Sequence, residues 1–297
     1  MRNAPSIWFA GKGRLGNQLF QWAALSKQFP RSHVWSPTLT SLPAVLEPLP
    51  RLKTVLPSAT LDLLLRRKGG RIVLRTLFKH ARLGGYAWEP VENLPDGHEW
   101  ARGKMLWQRG LFPTTFVDGG FYQNLADFLA PSDFGSLRVR ESLLRGARTE
   151  IAALVGREQW PAIAMHVRRS DFLRFRPFGL SDVTLPAAYF EKAAAHLRIA
   201  HGPHAPLLIV TDDKPWCLAT LGGLRPFHLM SSTEALDFAA LTMFESVVVS
   251  KSTFSLAAAC IGPQVRQAIA PCYWFGVRVG RWHPSMMQTS DPRFTYL

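Results

Sequence analysis

The regular alternation of apolar strands and amphipathic helices after Gly156 constrains the fold of this chain most. The pattern predicts strands at 162–167, 207–210, 246–249 and 268–270, and helices that begin near Pro186, Leu236 and Ser252. Strands that alternate with helices form a parallel sheet with helices on both faces. Such sheets bind ligands beyond the carboxyl ends of their strands.

Polar residues follow three of these predicted strands. They lie at 166–171, 211–213 and 250–255. Because parallel strands end at a common edge, we expect the three stretches to meet there and to form a ligand site.

The first half of the chain is irregular and rich in proline. It contains a predicted buried strand at 7–10, a helix at about 16–28, and a helix from Val139 to Leu154 that Gly156 closes. A chain of 297 residues has room for two domains. We therefore expect domains at 1–156 and 157–297.

Positive charge is concentrated in the first part of the chain. Residues 1–88 hold 14 Lys and Arg but only Glu47 and Asp62 as acids, while the whole chain carries +14. Nucleic acid, an anionic membrane and a phosphorylated ligand would suit this surface, which can also be simply a solvated basic face. The densest part, 63–71, is the expected contact if the protein attaches peripherally to the cytoplasmic membrane face.

Cysteine usage and hydropathy favour a cytoplasmic protein. The three cysteines form no CxxC pair, and no apolar stretch reaches the 18 residues of a spanning helix. The amino terminus lacks the apolar segment of a signal peptide.

The glycine-rich turn GKGRLG at 11–16 matches a dinucleotide-binding pattern. No acid follows about 20 residues later to hold a ribose, so an NADP-dependent oxidoreductase is an alternative function only. The amides of Asn17 and Gln18 suit a hydroxyl-rich ligand, although Asn17 can also cap the helix.

The stretch HVRRSD at 166–171 is a candidate phosphate site. A guanidinium fork binds phosphate through two hydrogen bonds, which favours Arg168 as a ligand-binding residue, and His166 can also donate to phosphate. The alternative is an Arg169–Asp171 ion pair that only pins the loop.

Two further strand ends carry candidate ligand groups. Asp212 and Asp213 can accept hydrogen bonds from guanine or from a ribose hydroxyl, and a metal site is the alternative. The turn at 250–255 leads into a helix whose amino terminus attracts anions, although its hydroxyls can also be simple caps.

Taken in order, these motifs resemble the α-1,2-fucosyltransferases of glycosyltransferase family 11. The resemblance rests on GRLGNQLFQWA (13–23), GFYQ (120–123), HVRRSDF (166–172), TDDKPW (211–216), KSTFSLAAA (251–259) and PCYW (271–274). These matches span nearly the whole chain. The family typically has Asn at position 251 and a Trp pair at 256–257, where this chain has Lys251, Leu256 and Ala257.

The resemblance implies a GT-B-like α/β fold of two Rossmann-type domains whose parallel sheets face a cleft. It implies inverting transfer of L-fucose from GDP-L-fucose to the 2-hydroxyl of a galactoside, such as a galactose-terminated oligosaccharide, with no cofactor, no metal and no nucleic-acid partner. A non-catalytic polyanion- or nucleic-acid-binding protein is the alternative from another class.

The resemblance also assigns roles to individual residues. Arg168 and His166 would act at the diphosphate. From the residues alone, the predicted base is Asp171, the nearest acid to the phosphate loop, with Asp182 as the other candidate. The alternative role of Asp171 is to orient Arg168 or Arg169 through a salt bridge. The donor-binding set would be Asn17, Arg169, Asp212, Asp213, Ser252, Thr253, Phe254 and Ser255. The lost Trp pair would reshape either the nucleotide pocket or only the core beneath it.

Overall fold

The chain divides after Leu129 into two units, Met1–Leu129 and Ala130–Leu297. A computed structural model describes residues 5–93, 99–157, 159–175, 183–272 and 287–297. The predicted boundary at residue 156 falls inside the second unit. The helix Glu141–Val155 belongs to that unit, where Glu150 accepts a 2.8 Å hydrogen bond from the Ser232 hydroxyl.

The first unit is built on a six-stranded sheet. Its strands are β1 Ser6–Phe9, β2 His33–Trp35, β3 Leu52–Lys53, β4 Gly84–Trp88, β7 Leu106–Gln108 and β8 Phe112–Val117, while β5 Val91–Asn93 and β6 Glu99–Ala101 form a separate antiparallel pair. Its helices are α1 Leu15–Gln28, α2 Leu42–Val45, α3 Ala59–Arg66 and α4 Lys68–Arg75, and a π-helical turn, Thr76–His80, follows α4.

The order of the first sheet is β3-β2-β1-β8-β4-β7, and only β7 runs antiparallel to its neighbour. Strand β1 pairs with both β2 and β8, so the glycine-rich turn leaves the middle of the sheet. The predicted strand at 7–10 and helix at 16–28 are confirmed as β1 and α1, to within one residue.

The basic segment 63–71 is not a continuous surface block. Leu65 is buried in a core cluster with Leu74 and Phe78, and Leu64 packs against that cluster. The Arg66 guanidinium is paired with Asp62 one helical turn earlier. Leu63 is 47% exposed, however, and Arg67 and Lys68 are also exposed, so a membrane contact at 63–71 stays a prediction.

The second unit is built on another six-stranded sheet. Its strands are β9 Ile163–Val167, β10 Leu207–Thr211, β11 Phe227–Met230, β12 Ser246–Val248, β13 Gln267–Ala270 and β14 Phe294–Tyr296. Its helices are α5 Glu141–Val155, α6 Ala187–His201, α7 Lys214–Thr220, α8 Glu234–Leu241 and α9 Thr253–Ile261, with 3-10 turns at Pro131–Phe134 and Gly222–Leu224.

All pairings in the second sheet are parallel, in the order β11-β10-β9-β12-β13-β14. Strand β9 is central and buried along its whole length, which explains its continuous run of apolar residues. The chain first moves from β9 to β10 and β11, then returns to β12 on the other side. This reversal makes a topological switch point beside β9, and the predicted α/β class is confirmed.

Helix α9 is almost wholly buried. Leu256 and Ala257, which replace the tryptophan pair, are 1% and 0% exposed, so the replacement changes the core rather than an open pocket.

No helix in the described part of the chain is long and apolar enough to cross a bilayer.

Gly156 ends α5 as predicted, with φ +62° and ψ −114°. A β-carbon there would meet no atom within 4 Å, so backbone conformation alone requires glycine. Gly156→Ala should lower the free energy of unfolding by about 1–2 kcal/mol in denaturant titrations.

Gly69→Ala is the matched control, because Gly69 has the same open space but lies in α4 without a positive φ. It should not destabilise the protein, since alanine favours a helix by about 0.5–1 kcal/mol over glycine. Equal effects of the two substitutions would contradict this explanation.

Candidate functional site

The predicted convergence of polar groups is found at the carboxyl edge of the second sheet. Strands β10 and β12 are the two neighbours of β9, and the stretches 166–171, 211–213 and 250–255 follow these three strands. Residues of the stretch 166–171 contact both of the other stretches there.

Asp212 holds the loop that follows β9. Its two carboxylate oxygens accept hydrogen bonds from the backbone N–H of Arg169 at 2.8 Å and from the Ser170 hydroxyl at 2.6 Å. The Ser170 hydroxyl thus gives the loop an additional attachment. Asp212 remains exposed at the sheet edge, where a ligand can reach it.

Arg168 forms a two-bond ion pair with Asp171. Its Nε lies 3.0 Å from Oδ1 and its Nη2 lies 2.5 Å from Oδ2. Of the two salt bridges considered from the sequence, the structure forms the one between Asp171 and Arg168, whereas Arg169 pairs with Asp213. A guanidinium has a second edge, Nη1–Nη2, that can bind phosphate while the first edge holds a carboxylate.

Arg169 is a buried link between β9 and α7. Its Nε lies 3.3 Å from Asp213, and its guanidinium carbon lies 4.0 Å from the centre of the Trp216 ring. Asp213 also caps α7 by accepting the N–H of Trp216 at 3.1 Å. Arg169 is only 9% exposed and links the β9 loop to α7, while its predicted donor contact stays a prediction.

His166 is buried at the end of β9. Its Nδ1 lies 3.0 Å from the Ser250 hydroxyl, and its ring lies 5.4 Å from that of Phe254. Burial lowers the pKa of His166 to about 3, and the positive charge of Arg168 acts in the same direction. The imidazole is therefore neutral near pH 7, and it offers one N–H rather than a charge.

The residues at the start of α9 mostly contact other protein groups. Ser252 caps the helix by accepting the N–H of Phe254, whose ring packs 5.2 Å from Phe238. Ser255 is fully buried, and its hydroxyl donates to the carbonyls of Ser250 and Ser252. Both side chains therefore contact protein groups, and their donor contacts stay predictions. Thr253, which is partly exposed, remains a candidate too.

Lys251 and Phe172 join the site, although sequence reasoning treated them only as family positions. The Lys251 ammonium lies 3.9 Å from the centre of the Phe172 ring, and the Arg168 guanidinium lies 5.5 Å from the same ring. Lys251 is 2% exposed. The signal in the sequence was a lysine between a buried strand and an apolar helix, where a charge is expensive.

Asn17 belongs to the first unit, at the carboxyl edge of that unit's sheet. Its Oδ1 accepts a 2.7 Å hydrogen bond from Gln123, and a β-carbon on Gly13, whose φ is +91°, would collide with its amide. Arg14 occupies the N-cap position of α1 without a side-chain hydrogen bond, and Asn17 lies inside the helix, so the N-cap role considered for Asn17 is wrong. Gln21, which the sequence did not single out, binds the carbonyls of Lys12 and Gly120 at 2.9 Å each.

Glu89 is a second residue that the sequence did not indicate. It follows β4 and accepts the N–H groups of Phe121 and Tyr122 at 2.8 and 3.0 Å. Burial raises its pKa, which these backbone hydrogen bonds oppose. The Lys12 ammonium lies 4.5 Å from the centre of the neighbouring Phe121 ring. Glu89 therefore fixes the loop whose Gln123 contacts Asn17.

The remaining expectations from the sequence concern a metal site and the residues Asp182 and Trp274. Within the described residues, no group of three or more His, Cys, Asp or Glu is placed to hold a metal, so the pair Asp212–Asp213 has no partner ligands there. Asp182 and Trp274 lie outside the described residues.

The burial of His166 predicts a pH-dependent stability. The folded-state pKa lies below the ordinary value of 6.5, so the unfolded chain takes up this proton first as the pH falls. The stabilisation is complete above about pH 6.5 and is lost progressively towards pH 3. His166 should account for about 2 kcal/mol of lost stability between pH 7 and pH 5.

His166→Asn should remove this part of the pH dependence in denaturant titrations at several pH values. His204→Asn, at an exposed position of the same unit, should leave the pH dependence as it is. A His166→Asn protein with the parent's slope would exclude His166 as the source.

Comparison with known proteins places the chain among glycosyltransferases. It is 26% identical to the galactoside 2-alpha-L-fucosyltransferase SEC1 of Bos taurus over 84% of this chain and 62% of that protein. It is 22% identical to the O-antigen biosynthesis glycosyltransferase WbnK of Escherichia coli over 38% of each chain. The chain thus spans less than two thirds of the length of these relatives.

Solved structures show the same fold. A mutant of Arabidopsis thaliana FUT1 in complex with GDP matches with a TM-score of 0.51 at 10% identity, covering 90% of this chain and 70% of that one. POFUT1 in complex with GDP matches with a TM-score of 0.50 at 13% identity, covering 92% and 99%. The GT-B-like fold class is thereby confirmed. The sequence profile of glycosyl transferase family 11 matches residues 99–274, more than half of the chain, and the protein belongs to that family.

Proposed function

We propose that this protein transfers L-fucose from GDP-L-fucose to the 2-hydroxyl of a galactoside, with inversion at the anomeric carbon. The acceptor oxygen forms a bond to C1 of fucose, the bond from C1 to the phosphate oxygen breaks, and GDP leaves. The acceptor proton passes to a base or to water. Membership of glycosyl transferase family 11 and the name of the bovine relative support this proposal.

One observation carries the proposal: an ordered cationic loop lies at the switch point of the second sheet. Asp212 fixes the backbone of that loop, and Asp171 fixes the plane of the Arg168 guanidinium. Lys251 places a second cation against the same Phe172 ring. An arrangement held in place before a ligand binds suits a diphosphate.

The reaction places new negative charge on the β-phosphate as GDP leaves. A guanidinium already fixed in position stabilises this charge more in the transition state than in the ground state. The first turn of α9 adds the positive end of its dipole, and neutral His166 can add one hydrogen bond. The proposed catalytic groups are therefore Arg168 and His166.

The remaining candidates have supporting roles in this proposal. Asp212, exposed at the strand end, would accept from guanine or ribose while it holds the loop. Asn17 and Gln123 of the first unit would bind hydroxyls of fucose or of the acceptor. Asp171 would position Arg168, because both of its oxygens contact that guanidinium.

A binding screen separates this function from its alternatives. GDP should raise the Tm of the protein, because a ligand at 100 times its Kd stabilises by about 2.7 kcal/mol. NADP and a short oligonucleotide should not. A shift with NADP alone would favour the oxidoreductase, and a shift with the oligonucleotide alone would favour polyanion binding.

A product assay tests the reaction itself. GDP-fucose and a β-galactoside should yield GDP and a fucosylated product whose linkage and anomeric configuration NMR can assign. The matching 2-deoxygalactoside should give no such product. Transfer to the 2-deoxy compound would overturn the assignment of the 2-hydroxyl.

Arg168→Lys should lower kcat by about 100-fold or more, the cost of removing one fixed donor to a developing charge. Lysine keeps the charge but loses the planar fork that Asp171 orients. The measurement is steady-state transfer from GDP-fucose, with far-UV circular dichroism to confirm folding. Turnover close to that of the parent would exclude the role.

Asp171→Asn in the same assays distinguishes a positioning residue from a base. A positioning role predicts that GDP affinity and kcat fall together, because the Arg168 fork is no longer held. A base predicts a loss of kcat at unchanged GDP affinity, and that result would return the proton-accepting role to Asp171.

A further inference from the structure

An exposed apolar surface lies on the first unit, outside the candidate site. Leu111 and Phe112 are 77% and 64% exposed, although they lead directly into the central strand β8. Four other exposed side chains belong to this apolar strip: Ile72, Val73, Leu77 and Leu83. Large apolar side chains that are exposed together indicate an interaction surface.

Backbone hydrogen bonds show that the apolar strip is continuous. The N–H of Leu83 binds the carbonyl of Leu77, and the N–H of Phe112 binds the carbonyl of Leu83 at 2.9 Å. Ile72 and Val73 lie one helical turn before Leu77, on the exposed side of α4. Helix α4 and the start of β8 therefore present one surface.

Basic side chains accompany the strip. The carbonyl of Arg82 accepts a hydrogen bond from the N–H of Leu111. The carbonyl of Lys79 accepts one from the side chain of Gln108, and Arg109 is the next residue in the sequence. All three cations are exposed, and the sequence holds no acid from 63 to 88. The strip thus combines exposed apolar side chains with exposed basic ones.

A groove continues the strip. Its volume is about 360 Å³, and Phe112 belongs to its lining together with Phe29 and Trp107. Arg31 and Arg109 also line it. An apolar groove that carries two guanidinium groups suits the acyl and phosphate parts of an anionic lipid.

The strip lies at the amino-terminal end of the sheet. Phe112 and Leu83 come just before or at the start of β8 and β4, whereas the glycine-rich turn and Asn17 follow the carboxyl end of β1. Since these strands are parallel, a partner on the strip leaves the carboxyl edge of the unit uncovered.

We propose that the apolar strip and its basic side chains dock the protein peripherally on an anionic lipid bilayer. A bilayer buries aliphatic side chains and attracts cations at the same depth, which this surface requires. Nucleic acid would engage the cations but would leave the aliphatic side chains in water. A second copy would oppose like charges. The proposal stands independently of the reaction proposed above.

Vesicle sedimentation of the full chain tests the proposal. At about 0.15 M salt, the protein should bind phosphatidylcholine vesicles that contain about 30% phosphatidylglycerol and should bind pure phosphatidylcholine far less. The double substitution Leu111→Ser and Phe112→Ser should lower the partition coefficient by about tenfold or more. Ile199→Ser with Leu218→Ser, exposed residues of the second unit, should leave it unchanged.

The electrostatic part has its own matched pair. Lys79→Ser with Arg82→Ser should lower binding by about tenfold, since each basic residue near an anionic surface contributes on the order of 1 kcal/mol. Arg145→Ser with Arg148→Ser removes the same charge from α5 and should change binding little. Thermal unfolding confirms that all variants fold.

Three results would overturn the proposal. One is the absence of binding to the anionic vesicles. Another is equal loss of binding in the strip variants and in their controls, which would indicate unspecific attraction. The third is a dimer in solution that Leu111→Ser with Phe112→Ser dissociates, which would make the strip a contact between copies.

Discussion

The parallel pairing of β9 with both β10 and β12 is the constraint on which the site in the second unit depends. It brings three strand ends to one edge, although their sequences are separated by up to 84 residues, as between His166 and Ser250. The other contacts described for the site join residues that follow these three strands. The β9 loop, the aspartates after β10 and the cap of α9 have their positions because the buried strands beneath them are in register.

The carboxylates of this edge act first on the protein itself. Asp212 and Asp213 bind the loop and the first turn of α7, and Asp171 orients a guanidinium. Asp171 and Asp213 therefore offset the positive charges of Arg168 and Arg169, with which they form ion pairs. In the proposed function, cations held in this way would attract a diphosphate without needing to rearrange first. Burial first, and the charge of Arg168 second, lower the pKa of His166 and keep its imidazole neutral.

The first unit carries different groups at the two ends of its sheet. In the first unit the glycine-rich turn, Asn17 and Gln123 occupy the carboxyl edge of the sheet, and the exposed apolar strip occupies the amino-terminal end. The charge count alone suggested one basic face. In the structure, the basic residues of this unit do not form one. Arg66 and Arg75 are neutralised by Asp62 and Asp118, and the cations beside exposed apolar groups are others, such as Lys79 and Arg82.

The sequence by itself determined the second unit and the place of its site, because strongly apolar buried strands and glycine-closed helices leave little choice of fold. The sequence motifs also indicated the family to which the chain belongs. The tertiary structure alone decided which arginine points where, since neighbours on a strand such as Arg168 and Arg169 face different surroundings that no local pattern reveals. It likewise buried Ser255 and Phe254, moved the unit boundary to Leu129, and exposed Leu111 and Phe112. Those outcomes depend on contacts between residues distant in sequence, which periodicity and composition do not encode.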